Sequence, residues 1–312
     1  GAKYFSIIDL KSAYHQVELT ESSRDLTAFV TPFGVYRYIR LPFGLASAAS
    51  VFQRLMDKLF GDIAGVQAFQ DDVLVFARSV KEHHLILDKV LQILQDRGMT
   101  VSAEKCKFML SELDYLGHKI TQEGIKPKED LVSAINKAAA PTDKDTLRSF
   151  LGLGEYYARF VQGFAVFVEP MRKLLRKGVR FEWGDEQKVA FDKVKQLIVQ
   201  AKALKPFDPE GKNVIKVDAS TKGLGAVFTQ LINGKENTVS FISRALRGAE
   251  VYYSTIEKEA LACVWAVERL KTYLWGKKFI LYTDHKPLIY LFEGKGSGNA
   301  SSRLIRLVAR LQ

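Results

Sequence analysis

Two apolar runs in this chain end on bare carboxylates, and that pairing constrains the fold more than any other feature. Ser6-Ile7-Ile8-Asp9-Leu10 reads as a buried strand, and Ala68-Phe69-Gln70-Asp71-Asp72-Val73-Leu74-Val75-Phe76 as the centre of a hairpin over 66–77 with its turn at Gln70-Asp71-Asp72. A carboxylate at the tip of such a strand is costly to desolvate unless it is paired or binds a cation. The sequence therefore asks for a fold that gathers these tips at one edge, where together they would hold a divalent metal.

The same arrangement recurs downstream. Asp218 ends Val214-Ile215-Lys216-Val217, and Asp284 ends Phe279-Ile280-Leu281-Tyr282-Thr283. A right-handed helical crossover makes two such strands parallel and brings both tips to one edge. The intervening helix offers Glu257 and Glu259. Ser254-Thr255-Ile256-Glu257 fits a capping box, which occupies Glu257 structurally. Glu259 shares a helical stripe with Cys263, Ala266 and Leu270, so it faces the sheet and joins the two aspartates.

The remaining pattern supplies the frame. Residues 27–41 read as a strand pair broken at Thr31-Pro32-Phe33-Gly34, followed by helices over 47–60 and 80–97, the second ending at Gly98. Tyr115 to Ile120 is a further strand before a turn at Glu123-Gly124. Residues 127–200 are helical, with Thr142 and Asp145 suited to a capping box after Pro141. A loop over 205–212 precedes a second α/β unit: strands at 213–219, 224–232 and 238–243, a helix over 255–275, a strand over 278–284 and a short helix from Pro287. Gly294 to Ser302 reads as a flexible small-residue linker. At 312 residues, 47% hydrophobic and 26% charged, the chain is globular and long enough for two or more domains. Its 46 basic against 35 acidic residues leave a net charge of +11, which favours a polyanionic partner. Cys106 and Cys263 are too far apart for a metal-binding or redox pair and read as buried thiols in a reducing compartment. No long apolar span or signal peptide is present, so no membrane is expected.

Taken jointly, the motifs resemble those of a reverse transcriptase. Asp9-Leu10-Lys11-Ser12-Ala13-Tyr14-His15-Gln16-Val17, Leu41-Pro42-Phe43-Gly44-Leu45, Phe69-Gln70-Asp71-Asp72 and Leu116-Gly117-His118 follow in the family's order and spacing. Over essentially its whole length the chain resembles the pol region of gypsy-type LTR retrotransposons, and its downstream unit resembles ribonuclease H. The resemblance implies an α+β polymerase palm with partial fingers over 1–122, a helical thumb over 123–205, and an α/β ribonuclease H-like domain with a mixed sheet over 213–312, incomplete at its C-terminus. It implies RNA-directed DNA synthesis and cleavage of RNA in RNA–DNA hybrids by two-metal phosphoryl transfer, with Mg²⁺ as cofactor and Mn²⁺ as a substitute. Asp9, Asp71 and Asp72 match the polymerase metal site, and Asp218, Glu259 and Asp284 the ribonuclease one. Tyr14 matches the aromatic steric gate against a 2′-hydroxyl, Phe43 and Gln70 line the nucleotide pocket, and Leu116, Gly117 and His118 match the primer grip. Implied partners are an RNA template, a DNA primer, the hybrid, dNTPs and the rest of the pol polyprotein, inside the cell in a cytoplasmic virus-like particle or the nucleus; a dimer is compatible with all of this.

Three positions depart from the family pattern: Phe69 where Tyr is commoner, Gln70 where many relatives are apolar, and Leu26 in place of a Lys before Thr27-Ala28-Phe29. Leu147 to Leu153 and Tyr156 to Phe160 resemble the thumb helices, with Phe160 and Phe164 read as core. Arg172, Lys173, Arg176 and Lys177, with Arg180 beyond, share one helical face by spacing and are expected to contact phosphates. A non-catalytic nucleic-acid clamp or domesticated fragment is the alternative, against which the six intact carboxylates argue. An RNA-templated RNA polymerase shares the palm but does not explain the second domain. The chain opens on Gly1 and has only Glu293 as a further acid after Asp284, so it is expected to be a piece of something longer and weaker at both sites than an extended form. Its end, Leu304, Leu307, Val308 and Leu311 flanked by Arg303, Arg306 and Arg310, reads as a stripe packed on a partner element or the sheet, with the arginines toward nucleic acid or solvent.

Overall fold

The computed structural model describes residues 1–292 and 301–311. The chain divides into two compact units: Gly1–Tyr115 with Ile120–Gln122, and Leu116–Lys119 with Glu123–Gln312.

In the first unit the strands are β1 (Tyr4–Asp9), β2 (Phe29–Thr31), β3 (Gly34–Tyr36), β4 (Val66–Phe69), β5 (Asp72–Ala77), β6 (Lys107–Leu110) and β7 (Glu112–Tyr115). The helices are α1 (Glu21–Arg24), α2 (Ala48–Phe60) and α3 (Val80–Asp96). Four strands form an antiparallel sheet in the order β4-β5-β1-β6, and β2 and β3 form a separate hairpin. Alternation along β5 sends Val73 and Val75 to the core with Ile8 and Leu10, while Leu74 packs on the opposite face with Phe5, Leu113 and Tyr115. Phe52, Met56 and Phe60 recur every four residues on α2 and are wholly buried in the first of these cores. Each contributes about 2 kcal/mol by leaving water. Ser79 caps α3 by accepting a hydrogen bond from the Glu82 amide, and Gly98 ends it at a φ of +63°.

The second unit takes up β8 (His118–Thr121), whose first two residues belong to it, and β9 (Gly124–Pro127), then α4 (Glu129–Lys137), α5 (Lys144–Tyr156), α6 (Phe164–Leu174) and α7 (Asp185–Val199). Leu147, Tyr157, Val168, Met171 and Val194 are buried in the helical core, as are Phe160 and Phe164. The cap of α5 differs from the sequence expectation. Asp143, not Thr142, is the N-cap: its carboxylate accepts from the Asp145 and Thr146 amides at 2.9 and 2.8 Å, and the Thr146 hydroxyl takes the Asp143 amide in return. A carboxylate meets two amides where a hydroxyl at 142 would lie one residue too early.

The chain continues through β10 (Lys212–Ala219), β11 (Gly223–Ile232), β12 (Lys235–Ala245), α8 (Thr255–Arg269), α9 (Lys271–Leu274), β13 (Phe279–Tyr282), α10 (Lys286–Phe292) and α11 (Ser302–Ala309). The sheet order is β12-β11-β10-β13, antiparallel except for β10 and β13, which are parallel because α8 carries the chain back over the sheet. The expected single helix over 255–275 is interrupted at Leu270. The expected strand over 278–284 stops at Tyr282, leaving Asp284 in the following bend. Most of the linker from Gly294, and Glu293 before it, lie outside the described residues. Leu304 and Leu307 of α11 are buried in the same core as α8. Two of the three arginines at this end are paired within the domain, and Arg306 is exposed. Arg303 donates to Glu257 at 3.0 Å and Arg310 holds Glu268 through both oxygens at 2.7 and 2.8 Å, because α11 lies along an acidic face of α8. Among the described residues no helix is long and apolar enough to cross a membrane.

Candidate active sites

The β1–β5 register sets Asp9 directly opposite Asp72, so the two side chains leave the same face of the sheet. The turn is tighter than the sequence suggested. Asp72 already pairs with Phe69 as a strand residue, and only Gln70 and Asp71 make the bend. Gln70 adopts a φ of +53°, which brings the chain round in two residues. The Leu10 amide donates to the Asp71 carbonyl at 2.8 Å, tying the turn to the end of β1. Gln53 of α2 holds it from the other side: its Oε1 accepts the Gln70 amide at 2.7 Å and its Nε2 donates to the Ala68 carbonyl at 3.1 Å.

Asp9 is itself anchored through its backbone, with its amide directed at the Cys106 sulfur at 3.4 Å and its carbonyl accepting from Ser102 at 2.8 Å. The Lys105 ammonium lies 3.5 Å from the Asp9 carboxylate. Burial, then the charges of Asp71 and Asp9, push the Asp72 carboxyl above the usual range, and Lys105 opposes them. Gln53, Lys105 and Cys106 carry no motif that sequence reading could single out; they meet the site only through tertiary contacts.

Tyr14, Phe43 and Gln70 come together beside this edge. The Tyr14 hydroxyl donates to Gln70 Oε1 at 2.6 Å, and its ring lies 5.2 Å from Phe43 and 5.5 Å from the buried Phe52. Phe43 is exposed and also meets His15 edge-on at 4.9 Å.

In the second unit Leu116 and Gly117 form a turn with φ of +47° and +72°. Two tyrosines from the end of α5 bind its carbonyls: Tyr156 donates to Leu116, and Tyr157 to Gly117 at 3.1 Å. The His118 ring stacks on Tyr156 at 5.0 Å, and burial, followed by Arg159, lowers its basicity. The basic run does not share a helical face. The helix ends at Leu174, so Arg176 and Lys177 lie past it. Arg172 pairs with Glu155, Lys173 with Glu186 at 3.8 Å and Arg176 with Glu169 at 2.5 Å.

The last parallel pair of β10 and β13 is Lys216 with Tyr282, and Asp218 and Asp284 each follow two residues later at the same edge. Both are exposed. Glu259 on α8 is 4% exposed; its Oε1 accepts the Ala219 amide at 3.2 Å, and its Oε2 is buried with no hydrogen-bond partner. Burial pushes its carboxyl up to about 7, the Ala219 amide opposes this, and the charges of Asp284 and Asp218 add to it. Glu257, by contrast, is consumed by the cap: it accepts from the Ser254 amide at 3.0 Å and from Ser301 and Arg303. Among the described residues no three His, Cys, Asp or Glu side chains stand close enough together to form a ready-made metal cluster.

Residues 1–120 match the family described as reverse transcriptase (RNA-dependent DNA polymerase), and residues 208–312 the RNase H-like domain found in reverse transcriptase. The chain is 40% identical over its full length to the retrovirus-related Pol polyprotein from transposon 412 of Drosophila melanogaster, and spans 25% of that protein. It is 35% identical to the Pol polyprotein from transposon gypsy of the same organism, over 93% of this chain and 29% of the relative. The chain thus spans about a quarter of the length of these curated relatives. Among solved structures, the foamy viral protease-reverse transcriptase dRH in complex with double-stranded DNA superposes with a TM-score of 0.86 at 24% identity, covering 99% of this chain and 55% of that one. The foamy viral protease-reverse transcriptase in complex with RNA/DNA hybrid gives 0.84 at 24% identity, over 99% and 43%. At that identity the likeness is one of fold.

Proposed function

Because the chain belongs with the Pol polyproteins of gypsy and related LTR retrotransposons, and carries their reverse transcriptase and RNase H-like domains, we propose that it copies RNA into DNA and cleaves the RNA of the resulting hybrid. The observation that carries this reading is the register placing Asp9 opposite Asp72 with Asp71 in the turn between the strands. Within it, residues 1–122 act as palm and partial fingers, 123–205 as thumb and 213–312 as the ribonuclease domain.

The donor chemistry fits hard divalent cations such as Mg²⁺ at both edges. Asp9, Asp71 and Asp72 would hold them in the palm; Asp218, Glu259 and Asp284 would do so in the second domain, where the unpartnered Glu259 Oε2 leaves a buried oxygen to be satisfied. Bound metal supplies activation of the attacking oxygen and neutralisation of charge on the phosphates. The chain's own groups do the rest. The Tyr14 ring bears on the sugar of the incoming dNTP and excludes a 2′-hydroxyl, Phe43 walls the pocket, and the Leu116–His118 turn supports the primer end. Lys105 partly neutralises the Asp9 carboxylate at 3.5 Å. The net charge of +11 favours a nucleic-acid duplex, the ligand class of the foamy viral neighbours.

Primer extension on poly(rA)/oligo(dT), with and without Mg²⁺, tests the reading. The parent extends only with metal, and Asp71→Asn loses synthesis while keeping hybrid binding. Extension by Asp71→Asn at the parent rate, or no extension by the parent, overturns the palm assignment.

A further inference from the structure

We infer that a relay of two glutamines, Gln70 and Gln53, positions the Tyr14 ring and so sets how strictly ribonucleotides are excluded. This deepens the polymerase reading and rests on it. The relay begins at the Tyr14 hydroxyl, which donates to Gln70 Oε1 at 2.6 Å. That is a short, good bond made in a partly buried setting, where its loss is not fully replaced by water. Gln70 accepts it from a backbone in the left-handed region, at a φ of +53°. The Gln70 amide is in turn held by Gln53 Oε1 at 2.7 Å, and the same Gln53 amide group binds the Ala68 carbonyl at 3.1 Å. Gln53 therefore holds the β4 side of the turn that carries Asp71, from the helix that also supplies Phe52 beside the Tyr14 ring.

The Tyr14 ring packs at the margin of the core, with Phe43 at 5.2 Å and Phe52 at 5.5 Å tilted to it at 42° and 59°, and Phe43 is exposed. The bond to Gln70 adds a directional restraint at the hydroxyl end of the ring. An apolar residue at position 70 leaves Tyr14 with packing only. The side chain at the variable position of the Asp-Asp turn is thereby coupled to the nucleotide pocket. Gln70 and Gln53 are positioning residues: they act on sugar selection through Tyr14.

The test measures kcat/KM for one dNTP and its matching rNTP on an RNA template, giving a discrimination ratio for the parent, Tyr14→Phe, Gln70→Met and the double variant. Tyr14→Phe keeps the ring and removes only the donor; Gln70→Met keeps the length and removes only the acceptor. Loss of one neutral hydrogen bond predicts a fall of about fivefold in the ratio for either single variant. Since both remove the same bond, the double variant falls by about fivefold as well, not by the product. Tyr14→Val, which deletes the ring, sets the upper limit of the effect. Unchanged ratios in both single variants, or independent effects that multiply in the double variant, overturn the relay. A parent that does not extend primers overturns the polymerase reading instead, and a ratio unmoved by Tyr14→Val overturns the gate role of Tyr14, so the three failures are distinguishable.

Discussion

Glu259→Gln should stabilise the metal-free protein at alkaline pH. The Glu259 carboxyl is buried, satisfied at one oxygen only, and titrates at about 7 against an ordinary 4.5. Between those values the folded protein keeps a proton that the unfolded chain has released, so stability is complete below 4.5 and falls as pH rises through 7. The rise of the carboxyl corresponds to about 3 kcal/mol lost by pH 8. Glutamine mimics the protonated acid and never ionises. The variant should therefore match the parent at about pH 4 and exceed it by about 3 kcal/mol at about pH 8. All three tryptophans, Trp183, Trp265 and Trp275, lie in the second unit, so denaturant titration followed by tryptophan fluorescence, in chelator, reports the relevant unfolding. A difference between variant and parent that is the same at both pH values would refute the assignment of the charge cost to Glu259.

Two further outcomes concern the supports of the sites. Gly117→Ala should destabilise the turn by about 2 kcal/mol or more, since a left-handed backbone disfavours a side chain; the new Cβ would sit 2.5 Å from the Tyr156 hydroxyl at a φ of +72°. Its check is the same fluorescence titration, and an unchanged midpoint would sink it. His83 is buried against Ser6 at 3.0 Å with its Nδ1 unpartnered, and burial lowers its basicity below the usual 6.5. Here the unfolded chain binds the extra proton, so stability present above 6.5 is lost as pH falls, and His83→Gln should flatten that acid limb in circular-dichroism melts.

The strands that carry the carboxylates were legible because alternation of apolar residues is local, and because a carboxylate at an apolar strand tip has few explanations. The separation of Glu257 from Glu259 was legible for a similar reason, since a capping box declares itself within four residues. Element ends were less so. Asp143 rather than Thr142 caps α5, and β13 stops before Asp284, because both outcomes depend on which of two neighbouring polar groups finds a backbone partner. The basic stretch from Arg172 misled through periodicity. Nothing in its own sequence shows that the helix ends at Leu174 or that Glu155, Glu169 and Glu186 meet its side chains. Gln53 was invisible for the same reason, since its partners lie 15 and 17 residues away across a turn.

The two edges meet the cost of gathered carboxylates in different ways, and the difference follows from their local structure. In the first unit the aspartates are held by their backbones: the Leu10, Ser102 and Gln53 contacts fix the chain at Asp71, Asp9 and Gln70, while Lys105 supplies opposite charge to the side chains. Lys105 offsets part of that charge, and burial with the neighbouring aspartates still raises the Asp72 carboxyl. In the second unit Asp218 and Asp284 are exposed, while Glu259 is buried with one oxygen unmet. A cation would consequently gain at the second edge by satisfying a single buried oxygen, whereas at the first it must displace an ammonium already in place. Removing Lys105 should raise the Asp72 carboxyl further, whereas beside Glu259 it is the Ala219 amide that opposes the rise.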